Sequence, residues 1–95
     1  MIRPTLRQLD ILEAVARCGS FSRASAELHL TQPAVSMQVQ ALVEQAGVPL
    51  FEQLGKKIYL TAAGEELQRH ARRIAQQLRE AGEAMAAIRG IKGGR

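Results

Sequence analysis

Apolar residues near the start of the chain recur at spacings of three and four positions. They are Leu6, Leu9, Leu12, Val15 and Ala16. Such a stripe is typical of an amphipathic helix that buries one face. Thr5 can cap its first turn, and Gly19 can adopt the positive φ that ends a helix. The pattern therefore predicts a first helix over residues 5–16.

Two more helices are predicted, separated by a short turn. Ser22 can cap a second helix, rich in small residues, that ends near His29. Thr31 can cap a third helix over residues 32 to about 45, with Pro33 in its first turn, where no amide is needed. The apolar side of the third helix consists of Val35, Val39, Leu42 and Val43.

A break at residues 47–49 is followed by two short apolar segments. Residues 50–54 and 58–60 predict two β-strands, joined by a tight hairpin at Gly55, Lys56 and Lys57. Two strands alone are only marginally stable, so we expect this hairpin to pack against the helices.

The last apolar periodicity follows Thr61, which can cap a final long helix. Steps of four and three continue over about three heptads, which is typical of a coiled-coil seam. The seam consists of Leu67, Ala71, Ile74, Leu78, Ala81, Met85 and Ile88. A second copy of the chain is the natural partner for this seam, and packing on the chain's own domain is the alternative. The sequence therefore predicts a homodimer formed through the last helix.

Composition narrows the class of protein. The chain has 95 residues, 46% of them hydrophobic, which fits one domain with one appended element and excludes a large enzyme. No apolar run approaches the roughly 20 residues of a membrane span, and residues 1–7 lack the pattern of a secretory signal. The single cysteine, Cys18, provides neither an internal disulfide nor a multi-cysteine zinc site. We expect a soluble cytoplasmic protein without a membrane partner.

Positive charge lies mainly in the second half of the chain. The net charge is +4, and the whole excess falls in residues 51–95. Lys56 and Lys57 lie at the predicted hairpin tip, and further arginines lie on the last helix. This distribution favours polyanionic partners, although a charge run on a helix is often only a solvated face.

The second and third predicted helices match a helix-turn-helix arrangement, and the hairpin makes it a winged one. In this arrangement the later helix enters the DNA major groove, where amide and hydroxyl groups bond base edges and phosphates. The candidates are Gln32, Ser36, Gln38 and Gln40, with Pro33 and Ala34 for apolar contact to a thymine methyl group. A three-helix bundle with a glutamine-rich solvated face and a solvated lysine tip is the alternative.

Candidate catalytic groups are few. His29, His70 and Cys18 lie in no motif that pairs a nucleophile with a base, pairs carboxylates or cradles a phosphate. We therefore expect no enzyme activity, no catalytic residue, no metal site and no cofactor.

Five segments together carry a resemblance to a known family. They are Leu6-Arg7-Gln8-Leu9, Gly19-Ser20-Phe21-Ser22-Arg23-Ala24, Leu30-Thr31-Gln32-Pro33-Ala34-Val35-Ser36, Leu50-Phe51 and Leu60-Thr61-Ala62-Ala63-Gly64. In this order and spacing the chain resembles the LysR-type transcriptional regulators over essentially its whole length. The resemblance implies a mainly α fold: a winged helix-turn-helix of three helices and a two-stranded wing, followed by a long dimerisation helix.

The resemblance also implies a domain organisation and a function. It implies a DNA-binding domain over residues 4–61, with the helix-turn-helix at about 21–40 and the wing at about 50–60. A linker helix over 62–89 and the start of a hinge at 90–95 follow. The implied function is regulation of transcription in bacteria, at the nucleoid, by a homodimer on an interrupted inverted repeat in double-stranded promoter DNA. Tetramers, and small-molecule effectors bound by a further domain, are implied for full-length members.

Within the family, residues 51–61 and the C-terminal end are similar to the regulators of Calvin-cycle carbon-fixation operons, the CbbR subgroup. The sequence therefore predicts control of carbon-fixation genes. Two other functions stay open: a winged-helix dimerising adaptor, which would show no salt-sensitive DNA affinity, and an architectural DNA binder, which would bind all sequences alike. The amide-rich third helix, with few charges, favours sequence-specific binding over the architectural function.

Individual DNA contacts are implied by position. Those in the major groove are Gln32, Pro33, Ala34, Ser36, Met37 and Gln40; those to phosphates are Ser20, Ser22, Thr31 and Gln38; those of the wing are Gln53, Lys56 and Lys57. The family commonly has arginine where this chain has Met37 and Gln53. Met37 therefore favours contact with a thymine methyl group, and the loss of a cation at Gln53 shifts the electrostatic role of the wing to the two lysines.

Overall fold

The computed structural model describes residues 3–90, which form four helices and one two-stranded antiparallel sheet. The elements are α1 (Leu6–Cys18), α2 (Phe21–Leu28), α3 (Gln32–Ala46), β1 (Phe51–Leu54), β2 (Lys57–Leu60) and α4 (Ala62–Ile88). This order confirms the predicted winged helix-turn-helix with a long last helix. Residues 91–95, most of the predicted hinge, lie outside the described residues.

The first two helices are fixed by polar caps. Thr5 and Gln8 form a reciprocal capping box at α1, and Gly19 ends α1 with a φ of 67°. The second helix is capped by Ser20, whose hydroxyl accepts the amide of Arg23 at 3.2 Å. The prediction that Ser22 is the cap was wrong, because the extended backbone at Ser20 starts the helix directly after the Gly19 turn and places Ser22 inside the first turn.

The turn between α2 and α3 is short. His29 ends α2 in the left-handed region, with a φ of 58°. Thr31 then caps α3, where its hydroxyl accepts the amide of Ala34 at 3.2 Å. Only two residues therefore separate the His29 cap from the first turn of α3, which gives the two helices the close, angled approach of a helix-turn-helix.

The core lies between α1, α2 and α3. One buried cluster joins the three helices, and it consists of Ile11, Ala14, Val15, Ala24, Val35 and Val39. A second cluster of Leu12, Leu42 and Leu50 extends the core toward the wing and α4. The helix α1 contributes to both clusters, so it is the central element against which α3 is held.

The wing is a tight hairpin that packs on the helices. Phe51 pairs with Leu60 at one end of the hairpin and Leu54 with Lys57 at the other, and the ring of Phe51 meets that of Phe21 edge to face. Gly55 and Lys56 form the turn. Lys57, predicted in the turn, is instead the first residue of β2, because the Leu54–Lys57 pair leaves room for only two loop residues.

The helix α4 contains 27 residues and is therefore about 40 Å long. Its first turns pack on the domain: Ala71 is buried, and Leu67 contacts the second core cluster. From Ile74 onward the large apolar residues are exposed. Leu67 and Ala71 are thus covered by their own domain, as in the alternative that this helix packs there, and contact of the seam with a second copy stays a prediction. None of the described helices is long and apolar enough to cross a membrane.

Candidate nucleic-acid interface

The helix α3 has one exposed face that bears most of the predicted major-groove residues. Gln32, Pro33, Ser36, Met37 and Gln40 are exposed, and Met37 has 72% of its surface accessible. Ala34 is half-buried at the edge of this face. The opposite side, with Val35, Val39 and Leu42, is buried in the core. The fold therefore fixes α3 by its apolar side and presents its polar side outward.

Contacts between α2 and α3 bring three of the four predicted phosphate residues, all except Gln38, to one end of this face. The hydroxyl of Ser22 donates to the side-chain oxygen of Gln32 at 3.0 Å. This contact places the first turn of α2 beside the first turn of α3, and it leaves the amide nitrogen of Gln32 free to donate. Ser20 and Thr31 use their hydroxyl oxygens as cap acceptors, so their O–H groups can still donate to an acceptor such as a phosphate oxygen.

Gln38 and Gln40 occupy different surroundings although both lie on α3. Gln40 is exposed, and its amide nitrogen lies 3.5 Å from the carboxylate of Glu44. Gln38 is half-buried, and its side-chain oxygen accepts from Gln8 of α1 at 3.2 Å. Gln40 is thus part of the exposed face, whereas Gln38 lies at its edge, against α1.

The wing presents the predicted basic residues to solvent. Lys56 and Lys57 are exposed, and within residues 3–90 neither forms an ion pair. Gln53 is also exposed, and its amide nitrogen lies 3.4 Å from the carbonyl oxygen of Gly55. Two uncompensated ammonium groups at the end of a hairpin can reach phosphates a few ångströms from the body of the domain.

The helix-turn-helix is tied to α1 by an ion pair that the sequence analysis missed. Arg17 donates two hydrogen bonds to the carboxylate of Glu27, one of them at 2.8 Å. These bonds hold the pKa of Glu27 below its usual value and raise the pKa of Arg17. Both side chains are exposed, so the pair adds little stability, and it joins α1 to α2 at the surface.

Arginines on α4 are partly neutralised within the chain. Arg69 pairs with Glu66 on the same helix, and Arg72 lies 3.7 Å from Glu13 of α1. The described residues contain no cluster of His, Cys, Asp or Glu side chains suited to a metal ion. Within residues 3–90, Lys56 and Lys57 of the wing and Arg23 of α2 are exposed and form no ion pair, so positive charge available to DNA lies on the wing and on the helix-turn-helix itself.

Gln8 is connected to this surface, although the sequence pattern did not predict it. Gln8 is only 6% exposed and joins the α1 cap to Gln38 of α3. The spacing of Thr5 and Gln8 is a capping-box signature that the sequence does display. The contact with Gln38, which is 30 residues away, has no local signal. The individual DNA contacts and the dimer seam stay predictions.

Comparison with known proteins relates this surface to a family. Residues 6–65 match the family model described as "Bacterial regulatory helix-turn-helix protein, lysR family". The RuBisCO operon transcriptional regulator of Allochromatium vinosum is 51% identical over 90 residues, which cover 95% of this chain and 30% of that protein. The protein of the same name from Acidithiobacillus ferrooxidans is 53% identical over 90 residues, covering 95% and 29%. The chain thus spans about three tenths of the length of these relatives.

A solved structure has the same fold. The crystal structure of the CbnR_DBD–DNA complex aligns with a TM-score of 0.81 at 38% identity, over 88% of this chain and 97% of that one. That structure is a complex with DNA.

Proposed function

Because the chain belongs to the lysR family of bacterial regulatory helix-turn-helix proteins, we propose that it binds promoter DNA sequence-specifically and regulates transcription. The observation that carries this proposal is the exposed face of α3, on which amide and hydroxyl groups project from a helix fixed by its buried side. Over its first three turns this face carries no charged side chain. It therefore suits hydrogen bonding to base edges more than attraction to phosphates alone.

The residues around α3 support the same function. Ser20, Ser22 and Thr31 lie at the start of α2 and α3, where hydroxyl groups and free helix amides suit a phosphate oxygen. The wing adds Lys56 and Lys57, which are exposed. A helix in the major groove with hydroxyl groups and a basic hairpin nearby can contact bases and the phosphate backbone at once.

We further propose that the DNA is bound by a homodimer at an interrupted inverted repeat. The exposed apolar residues of α4 would form the contact between two copies, and they are Ile74, Leu78, Ala81, Met85 and Ile88. Two copies related by a two-fold axis present two α3 helices to two half-sites, so the operator carries the same symmetry.

The target genes are proposed from the relatives. The two regulators above are named for the RuBisCO operon, so we propose a carbon-fixation promoter as the target, in the bacterial cytosol where that DNA lies. The relatives are named as regulators, and the proposal includes no catalytic step and no cofactor.

The proposal is tested by fluorescence anisotropy with this chain and two labelled duplexes, at several salt concentrations. One duplex is an interrupted palindrome from a carbon-fixation promoter, and the other is its scrambled version. Tight binding to the first and weak binding to the second is expected. Equal, salt-sensitive binding to both would instead support an architectural DNA binder, and binding to neither would support the adaptor function.

Substitution on the exposed face of α3 should relax base preference. We expect Gln32→Ala or Ser36→Ala to reduce discrimination at the base pair read by that side chain by about 1–3 kcal/mol. Affinities for the operator and for its single-base variants measure this discrimination. A uniform loss on operator and scrambled DNA alike would contradict base contact by these residues.

Substitution in the wing should act on all DNA sequences. We expect Lys56→Ala to weaken binding to operator and scrambled DNA equally, and to reduce the slope of log K against log salt by about one, because one phosphate contact is lost. Arg89→Ala removes the same charge at the far end of α4 and serves as the matched control. An unchanged slope for Lys56→Ala would show that the wing does not contact phosphate.

A further inference from the structure

A nearly buried glutamine connects the cap of α1 to the helix α3. The side-chain oxygen of Gln8 accepts the backbone amide of Thr5 at 3.0 Å, and its side-chain nitrogen donates to the oxygen of Gln38 at 3.2 Å. The backbone amide of Gln8 in turn donates to the hydroxyl of Thr5 at 3.0 Å. Gln8 is 6% exposed, so water cannot readily replace these partners.

This chain of hydrogen bonds has a fixed polarity. A backbone amide is only a donor, so the amide of Thr5 requires the oxygen of Gln8 on its side. The nitrogen of Gln8 must then face Gln38, and it requires the oxygen of Gln38 in return. The NH₂ group of Gln38 is left pointing away from α1, and within residues 3–90 it donates no hydrogen bond. A side chain that could turn either way is thereby held as a donor.

The position of Gln38 makes this orientation relevant to DNA binding. Gln38 is half-buried at the edge of the exposed face of α3, where the flank of a helix in the major groove passes the phosphate backbone. Phosphate oxygens are only acceptors of hydrogen bonds. A glutamine at this position therefore strengthens DNA binding when its side-chain nitrogen faces outward and weakens it when its side-chain oxygen faces outward.

We infer that Gln8 is a positioning residue for DNA binding: it holds the amide of Gln38 with its N–H groups toward a phosphate of the operator. This inference rests on the proposed function. Gln8 does not touch DNA itself, and it acts only through Gln38.

The test reverses the polarity without removing the helix cap. In Gln8→Glu, one carboxylate oxygen still accepts the amide of Thr5, as glutamate does in many capping boxes. The second oxygen is only an acceptor, so it turns Gln38 around and points the oxygen of Gln38 at the phosphate. We expect a folded protein with a lower melting temperature, because a carboxylate is nearly buried at this position. We also expect operator binding weaker on the order of tenfold, the scale set by loss of one hydrogen bond per subunit.

A double-mutant cycle separates this effect from simple repulsion between the new carboxylate and DNA. In the Gln38→Met background there is no amide to turn, so adding Gln8→Glu should not weaken binding further. The salt dependence should also stay the same, because a neutral amide releases no counterion. Gln8→Met removes both side-chain hydrogen bonds at similar volume. It should give an intermediate loss of operator affinity, because the amide of Gln38 then rotates freely. The same variant tests the inference if Gln8→Glu does not fold.

The outcomes are distinct. A loss that persists in the Gln38→Met background, or no loss in either Gln8 variant, would overturn the inference while leaving the proposed function intact. Failure of the unsubstituted chain to prefer the operator would overturn the proposed function and this inference with it.

Discussion

The substitution Gly64→Ala should lower the free energy of unfolding by about 3 kcal/mol or more, the upper range for overpacking. A Cβ atom at Gly64 would lie 2.2 Å from the carbonyl oxygen of Leu50 and 2.8 Å from a methyl carbon of Leu60. The oxygen of Leu50 is held by the amide of Thr61 at 3.0 Å, and the side chain of Leu50 is 1% exposed. The backbone here cannot move without opening the contact between α4, the wing and the core.

Urea or thermal unfolding followed by circular dichroism measures this effect. A loss of 1 kcal/mol corresponds to about 4–8 °C in melting temperature for a domain of this size, so a fall well beyond 10 °C is expected. Gly82→Ala is the matched control, since it lies in the same helix with nothing within 4 Å of an added Cβ. It should stabilise the chain by up to about 1 kcal/mol through helix propensity. Equal melting temperatures for the two variants would refute the close approach at Gly64.

The elements were predictable because their signals are local. The periodicity of α1 and α3, the caps Thr5, Thr31 and Thr61, and the glycine at position 19 each act within a few residues of the chain. The choice between Ser20 and Ser22 as a cap was not local. Both residues suit the role, and the direction of the chain after Gly19 decides between them.

The role of the apolar stripe on α4 could be predicted only in part. Its period shows that one face is apolar, but not which part the chain covers itself. Leu67 packs on the domain because the cluster around Leu50 extends the core to it, and Ala71 is buried where α4 lies beside α1. Ile74 and the residues after it extend beyond that core and are exposed. How much of α4 packs on the domain depends on the tertiary structure, so the sequence pattern of α4 alone does not predict it.

The candidate interface likewise has features that the sequence predicts and features that depend on the tertiary structure. The exposed face of α3 follows from helical periodicity, so Gln32, Ser36 and Gln40 could be named from the sequence. The link between Gln8 and Gln38 joins two helices that are distant in sequence, and it depends on the crossing of α1 and α3. Sequence periodicity identifies which residues face outward, but the orientation of a side-chain amide is set by its neighbours in space.

The exposed part of α4 leads to the second large effect. Leu78 is 52% exposed, in a row with Ile74, Met85 and Ile88, so its side chain is not needed for the fold of one copy. We expect Leu78→Asp to leave the melting temperature of a single copy nearly unchanged and to convert the proposed dimer to a monomer. Two carboxylates would meet near the two-fold axis of an apolar contact, where unpaired charge is strongly unfavourable. Sedimentation equilibrium measures the mass directly.

Loss of the dimer should also weaken DNA binding, although Leu78 lies far along α4 from the exposed face of α3. Two linked half-site contacts gain a factor on the order of 100 to 10,000 over one, so operator affinity should fall by at least on the order of 100-fold. Ala87→Asp places the same charge on the opposite side of α4, at an exposed position, and controls for repulsion between the carboxylate and DNA. A dimeric Leu78→Asp variant would contradict the proposed contact along α4. So would a monomeric variant that binds the operator as tightly as the Ala87→Asp control, because the apolar residues of α4 would then not join the two DNA-binding domains.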